Sequence, residues 1–385
     1  MKKSLAWGVP MTALELAAVL AAGGYFGFLL LESRRLKRAR AALPIVVQVN
    51  GTRGKTETTR LLAAALRAGG LRTLAKTTGT EPRLILEDGS ERRWRRWGAA
   101  NVREQRDFLL LAARRGAQAV VVECMAVSPD AQRASTAFLA PDLLIVTNAR
   151  PDHEMELGSP AEALAVFAEG IPGGGAVLTA DPASHGELAR AAAIRGAQAI
   201  LAAPEPGPWH AENGGAALAA ARHLGIAPAA ALAGMRGHTP DPGAFALRRI
   251  PATAVTVVDA LAANDTVSTD LLFRKGEAML PPGGPRVLLI ANRSDRPDRA
   301  LAYARWAAAG RWDSVLLAGA PGPGALRVLT AAFPGQGSDG RPRLRRLRDV
   351  RELALEPPGT VIYATGNWRG IGPALAALAP KEEQP

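Results

Sequence analysis

The residues with the clearest chemistry are Asn50-Gly51-Thr52-Arg53-Gly54-Lys55-Thr56, set between a short apolar run and a segment of good helix formers. Glycines let backbone N–H groups curl around phosphate oxygens, and a helix beginning at the loop adds the partial positive charge of its N-terminus. In such a loop Lys55 reaches the β- and γ-phosphates of a nucleoside triphosphate, and the Thr56 hydroxyl binds Mg²⁺. The spacing adds information. The common nucleoside-triphosphatase loop has a glycine five residues before that of its Gly-Lys pair, where this chain has Val49. Here Gly51 lies three residues before Gly54, a shorter form.

Two further polar groups fall where apolar runs stop. VVVECMAVSP places Glu123 at the end of one run, and the later TNARPDH places Thr147, Asn148, Asp152 and His153 at the end of another. A carboxylate and an imidazole at the C-terminal ends of neighbouring parallel strands converge on the crevice where such sheets bind ligands. Magnesium prefers oxygen ligands and phosphate oxygens, so Thr56 and Glu123 are the expected metal ligands. His153 is a less usual magnesium ligand and enters the set through its place after Asp152. Cys124 reads as a core neighbour of an outward Glu123, since no histidine pattern beside it argues for thiol catalysis. His185, His210, His223 and His238 lack metal-ligand spacing. Trp94-Arg95-Arg96-Trp97 reads as a hairpin edge that packs its tryptophans.

The elements that must position these groups alternate. Leu43 to Val49 predicts a buried strand and Thr56 to Arg67 a helix. Apolar runs recur at 119–122, 143–147, 176–179 and 197–201, with helical stretches between them. This pattern predicts an α/β fold with a parallel, doubly wound sheet covered on both faces. A second series at 254–258, 287–291, 315–318 and 361–364 predicts a smaller Rossmann-like α/β domain. The boundary is placed at the Pro/Gly-rich stretch 238–243, giving a basic-flanked anchor over 1–40, an ATP-binding domain over 41–243 and a C-terminal domain over 244–385. Segments 281–285 and 334–342 read as surface loops.

A length of 385 residues suffices for two cores, and 48% hydrophobic residues exclude a largely disordered chain. The single cysteine rules out an internal disulfide. From Leu5 to Leu31 the chain is apolar apart from Glu15 and small polar residues, which matches the ~20 residues of a membrane span. Arg34, Arg35, Lys37, Arg38 and Arg40 follow it, and Lys2 and Lys3 precede it. The heavier positive cluster puts the bulk of the protein in the cytoplasm, single-pass in the cell membrane. The net charge of +12 has two explanations, codon usage that favours arginine or a basic surface for anionic lipid or an acidic substrate. Net charge alone supports no nucleic-acid partner.

The short loop with Glu57-Thr58-Thr59, then Glu123, TNARPDH and GGGAVLTAD in that order, resembles the ATP site of the Mur ligase superfamily. The membrane segment directly before the loop, with TGTEPR (78–83), AANVREQ (99–105), ECMAVSP (123–129), VDALAANDTVST (258–269) and ANRSDRPDR (291–299), resembles the poly-γ-glutamate synthase family called PgsB or CapB. The resemblance implies a Mur-ligase-like P-loop ATPase domain followed by a C-terminal domain that closes over ATP. It implies ATP and Mg²⁺ as cofactors, with Glu123 and His153 holding magnesium. It gives Gly51, Thr52, Arg53, Gly54, Lys55, Thr56, Glu57 and Asn148 to the nucleotide. Arg236 (GMRG) would touch phosphate, Asp259 ribose, and Asn264 would lie near the nucleotide. Thr80 and Glu81 resemble a substrate-side loop. Many Mur ligases bridge to a second magnesium with a carbamylated lysine, and no lysine occurs here between Lys76 and Lys275.

The activity so implied is ATP-dependent polymerisation of glutamate through a γ-carboxyl acyl phosphate, with Lys55, Glu123 and His153 at the reacting centre. Its partners would be glutamate, the growing poly-γ-glutamate chain, small membrane subunits and membrane lipid. Two other readings stay open on the residues alone, a membrane-tethered P-loop kinase or phosphotransferase and a non-catalytic nucleotide-binding scaffold.

Overall fold

A computed structural model describes residues 12–79, 81–96, 98, 100–150, 154–263, 265–334 and 343–381. The chain forms two compact units, divided between Pro240 and Asp241.

The first unit opens with α1 (Ala13–Ala41), followed by β1 (Ile45–Asn50), α2 (Lys55–Ala68), β2 (Thr73–Thr77), β3 (Arg83–Ile85) and β4 (Glu91–Arg93). Then come α3 (Arg103–Arg114), β5 (Ala119–Glu123), α4 (Pro129–Leu139), β6 (Leu143–Val146), α5 (Glu154–Leu157) and α6 (Pro160–Ala168). It closes with β7 (Ala176–Thr179), α7 (Pro182–Ile194), β8 (Gln198–Leu201), α8 (Ala211–His223) and α9 (Pro228–Arg236). Its eight strands run β4-β3-β2-β5-β1-β6-β7-β8. From β2 to β8 all pairings are parallel, while β3 and β4 turn back antiparallel at one edge.

Strand β1 is the middle of this sheet. Val47 and Val49 pack on one face with Leu61, Leu62 and Leu66 of α2 and the alanines of α8 and α9. Val46 packs on the other face with Phe108 and Leu109 of α3. Small residues set the approach of the helices on the first face, where a Cβ at Gly234 of α9 would lie 2.5 Å from the Ala64 carbonyl of α2.

Helix α1 begins with a capping box between Thr12 and Glu15 and runs for 29 residues, about 43 Å at helical rise. Its side chains up to Leu31 are almost all exposed, including Leu14, Leu20 and Phe26, a length and composition that suffice to cross a membrane. The last turns dock instead. Glu32 pairs with Arg106 of α3, and Leu36 packs against the core cluster of α3. Arg40 donates to the carbonyls of Ala140 and Leu43 and to the Asp142 carboxylate at 2.6 Å. Asp142 accepts in turn from the Val46 amide. The apolar turns are thereby continuous with a helix end that is docked on the domain.

The second unit contains β9 (Ala246–Arg249), β10 (Thr256–Asp259), α10 (Thr266–Glu277), β11 (Arg286–Ala291), α11 (Pro297–Ala309) and β12 (Ser314–Ala318). It continues with α12 (Pro323–Ala332), β13 (Arg343–Arg346), a 3-10 turn over Val350–Leu355, β14 (Val361–Thr365) and α13 (Trp368–Leu378). The strand order is β13-β12-β11-β14-β10-β9, parallel except for β9. One face carries an aromatic cluster in which Phe273 and Tyr363 lie 5.0 Å apart with Trp312 beside them. The other face packs Leu353, Trp368 and Leu375. The loop reading of 281–285 falls on described residues without helix or strand, whereas all but Pro334 of the 334–342 loop lies outside the described residues.

Arg248 on β9 is 2% exposed and Asp259 on β10 is fully buried. Arg248 Nε donates to Asp259 Oδ2 at 2.7 Å and its Nη1 to the Ala379 carbonyl, while Oδ1 accepts from the Leu261 amide. Removing one partner of a buried ion pair strands the other's charge. Arg248→Met should therefore lower the unfolding free energy by about 3–5 kcal/mol, and adding Asp259→Leu should recover most of it, as read by urea titration. A double variant as unstable as the single one would show that the pair's charges are not the issue.

Candidate active site

The loop leaving β1 is shaped by two glycines that no other residue could replace. Gly51 and Gly54 have φ of +115° and +82°, and a Cβ on either would collide, with Thr147 at the first and the Asn213 side chain at the second. No side chain caps the start of α2, so its N-terminal amides and partial positive charge remain for a ligand. Lys55 folds back over this loop and donates to the carbonyls of Gly51 at 2.6 Å and Thr52 at 3.1 Å. An anion at the loop would compete for that ammonium.

Asn148, at the end of the neighbouring β6, holds the loop in shape. Its Oδ1 accepts from Thr52 Oγ1 at 2.8 Å and from the Arg53 amide at 3.1 Å, and its carbonyl accepts from the Thr52 amide. Its Nδ2 donates to the Arg53 carbonyl. Asn148 thus acts on the loop's backbone, and the Arg150 amide closes the arrangement on Thr52 Oγ1.

On the other side of β1, β5 ends at Glu123, 2% exposed. Its Oε1 accepts from Thr56 Oγ1 at 2.9 Å and its Oε2 from the Thr78 amide at 2.6 Å. A hydroxyl and a carboxylate, both oxygen donors, meet at the helix end that attracts phosphate. These groups fit a divalent cation shared with phosphate oxygens, for which magnesium needs only one or two protein ligands. The described residues contain no cluster of three Asp, Glu, His or Cys side chains able to cage a metal alone. Gly79 sits against this pair, since a Cβ there would collide with Thr56 Oγ1.

The segment carrying Thr78 rests on buried charge. Lys76 is fully buried, pairs with Glu104 Oε2 at 2.9 Å and lies 5.3 Å from the centre of the Trp94 ring. Burial lowers the Lys76 pKa, with Glu104 opposing it. Burial also works to raise the Glu104 carboxyl, yet Arg96 and Lys76 outweigh it and hold it below the ordinary carboxylate value. Gln105 Nε2 donates to the Glu123 carbonyl at 3.4 Å.

Of the residues singled out by sequence, Gly51, Thr52, Arg53, Gly54, Lys55, Thr56, Glu123 and Asn148 meet at one end of β1. Glu57 faces α8, where its Oε2 accepts from the His210 amide and from Asn213 Nδ2 at 2.6 Å. Glu81 pairs with Arg83 at 2.7 Å. Arg236 is exposed at the end of α9. Asp259 has both oxygens committed in the second unit, so a ribose hydroxyl would have to displace Arg248 or the Leu261 amide. Thr80, His153 and Asn264 lie outside the described residues. Cys124 is buried beside Gln132 and Ser135, and Trp94 packs edge-on to Phe108. Trp97 also lies outside the described residues. Sequence reasoning passed over Asn50, Lys76, Thr78, Glu104, Gln105 and Gln132 as individual residues. The strings TGTEPR and AANVREQ contained three of them, but a buried Lys or Gln announces itself only when its partners are known.

A central strand that ends in a short phosphate loop, with an acidic group on the next strand end, defines a P-loop nucleotide-binding domain. Solved structures agree on the fold. Escherichia coli FolC in complex with DHPP and ADP superposes with a TM-score of 0.65 at 18% identity, covering 90% of this chain and 91% of that one. A bifunctional folylpolyglutamate synthase/dihydrofolate synthase from Yersinia pestis, complexed with AMPPNP and Mn ion, gives 0.61 at 17% identity, covering 90% and 93%. The model of the poly-γ-glutamate synthase CapB C-terminal domain matches residues 246–381. PGA synthase CapB of Bacillus subtilis (strain 168) is 31% identical over 296 residues, 71% of this chain and 74% of that protein. Capsule biosynthesis protein CapB of Bacillus anthracis is 30% identical over 299 residues, 71% and 62%. The chain belongs to the poly-γ-glutamate synthase CapB family.

Two outcomes are expected here. Gly79→Ala should fold normally yet weaken binding of magnesium–ATP by about tenfold by pushing Thr56 away from Glu123, as measured by calorimetry. An unchanged affinity would mean that the 77–79 loop yields without moving Thr56. For Glu104, whose folded pKa is depressed, the stabilisation is present above the ordinary glutamate value and is lost as pH falls through the lower folded one. Glu104→Gln should lower stability at neutral pH and flatten the acid limb in urea titrations taken at a series of pH values. Parallel pH curves for the two proteins would contradict this assignment.

Proposed function

We propose that this chain is an ATP-dependent amide ligase that polymerises glutamate through its γ-carboxyl group, as the catalytic subunit of a membrane-anchored poly-γ-glutamate synthase. One observation carries the reading. The Thr56 hydroxyl and both Glu123 oxygens converge at the open end of a phosphate loop that carries Lys55, in a chain of the CapB family. ATP would lie with its phosphates on the loop amides and the α2 N-terminus. Mg²⁺ held by Thr56 and Glu123 would neutralise charge on the transferring phosphoryl group. His153, which follows Asp152 in sequence, is proposed as a further ligand.

The chain's own groups account for the remaining steps. Lys55, released from its two carbonyls, would stabilise the equatorial oxygens while a γ-carboxylate oxygen attacks the γ-phosphorus in line. The bond to the bridging oxygen breaks, ADP leaves, and an acyl phosphate results. The amine of a second glutamate then attacks the acyl carbon, inorganic phosphate departs, and the amine proton passes to solvent. Positioning and electrostatics suffice, so no enzyme nucleophile is needed. Thr80 and Glu81 are proposed to face the glutamate side. Arg236, Asp259 and Asn264 are proposed for the nucleotide, Asp259 only after exchange of its present partners.

Helix α1 supports the cellular setting. Its exposed apolar length suits a single span, and the arginines that follow it suit the cytoplasmic leaflet, with small membrane subunits and lipid as partners.

The test is to trap the activated acyl group. Full-length protein in native membranes, given ATP, magnesium, hydroxylamine and either glutamate or short γ-glutamyl peptides, should yield a γ-glutamyl hydroxamate. Lys55→Ala should reduce it on the order of a hundredfold or more. ATP binding without any hydroxamate would sink the ligase reading, and phosphate found on a stable acceptor would replace it with a phosphotransferase.

A further inference from the structure

Strand β1 carries polar residues where a central parallel strand is ordinarily apolar on both faces. Gln48 and Asn50 face α4 and are buried, at 0% and 2% exposure. Gln48 is satisfied by Ser135 and Thr136. Asn50 is satisfied by Gln132, in the first turn of α4 and 4% exposed. Gln132 Oε1 accepts from Asn50 Nδ2 at 2.8 Å and from Cys124 Sγ at 3.3 Å, and its Nε2 donates to the Ala126 carbonyl at 2.7 Å. Asn50 Oδ1 accepts from the Gly51 amide at 2.9 Å.

These bonds form one continuous chain. It begins at the first amide of the phosphate loop, passes through two side-chain carboxamides and ends on the backbone three residues past Glu123. Its two ends flank the groups that would hold the metal, since Gly51 opens the connection that leads to Thr56, the second residue of α2, and Ala126 follows Glu123 at the end of β5. The Gln132 carboxamide accepts from Asn50 while donating to a carbonyl, and neither a carboxylate nor an apolar side chain of equal length reproduces that bridge. Burying this many polar atoms is tolerable only because each has a partner, and an apolar pair would fill the space without that requirement.

We propose that Gln132 is a positioning residue that sets the separation of Thr56 and Glu123, and with it the metal-dependent part of nucleotide binding. Gln132 touches neither of those side chains and acts through Asn50 and the 124–126 backbone. The inference rests on the reading of this site as one for ATP and a divalent cation. It is independent of which carboxylate is activated.

Full-length protein in detergent would be titrated calorimetrically with ATP, once with magnesium and once with EDTA. Wild type should bind more tightly with magnesium. Gln132→Met and Gln132→Glu should keep metal-free affinity within about twofold and lose about tenfold of the magnesium-dependent gain. A merely structural role would lower the melting temperature and leave that gain intact, which would overturn the proposal. Asn50→Asp guards against a Gln132 variant that fails to fold. It keeps the acceptor for Gly51, removes the donor to Gln132, and should show the same loss. Wild-type binding that ignores magnesium would defeat the site reading and this inference together. A normal wild-type gain left unchanged in folded variants would defeat the inference alone.

Discussion

The direction in which the chain leaves β1 is the constraint on which the site depends. This strand is hydrogen-bonded to β5 on one edge and β6 on the other, and it is buried on both faces. The loop that follows can therefore only rise from the sheet's C-terminal edge between the ends of its two neighbours. Asn148 from β6 secures the loop's backbone on one side, and Glu123 from β5 meets Thr56 on the other. A doubly wound sheet makes its crevice at such a place, and here it supplies all the geometry that phosphate chemistry asks for.

The ring of buried polar contacts around that point is dense. Gln48, Asn50 and Gln132 lie beneath the loop, and Lys76, Glu104 and Gln105 lie beneath the segment that offers the Thr78 amide. Such groups contribute little to net stability, because each must recover its desolvation cost through its partners. Their effect is to leave few alternative arrangements, which a site built from backbone amides needs. The second unit uses the same device in the Arg248–Asp259 pair that joins β9 to β10 and in the bonds of Thr269 with Tyr303 and Thr365.

Helix α1 carries the apolar segment and its docked last turns in one continuous helix. Its contacts through Glu32, Leu36 and Arg40 fix the helix to α3 and to the β6 side of the sheet.

Much of this was legible in the order of residues. The glycine spacing, Lys55-Thr56, Glu123 at a strand end and the alternation of apolar runs predict the loop, the carboxylate beside it and the parallel sheet, because these features depend on local chemistry and strand periodicity. Most strands fall within two residues of their expected ends, as Ile45–Asn50 does against 43–49. Strands β2, β3, β9 and β13 lie outside the expected apolar runs, since they are short and carry charged residues such as Lys76, Arg249 and Arg345, while the hairpin edge expected at 94–97 adjoins β4. The true occupation of Glu57 and Asp259, which the chain commits to Asn213 and Arg248, was not legible. A side chain's type and neighbours in sequence determine what it can bind. Which partner it meets, 11 residues away for Asp259 or 156 for Glu57, is decided only when the sheet brings distant segments together and burial removes water as the competitor.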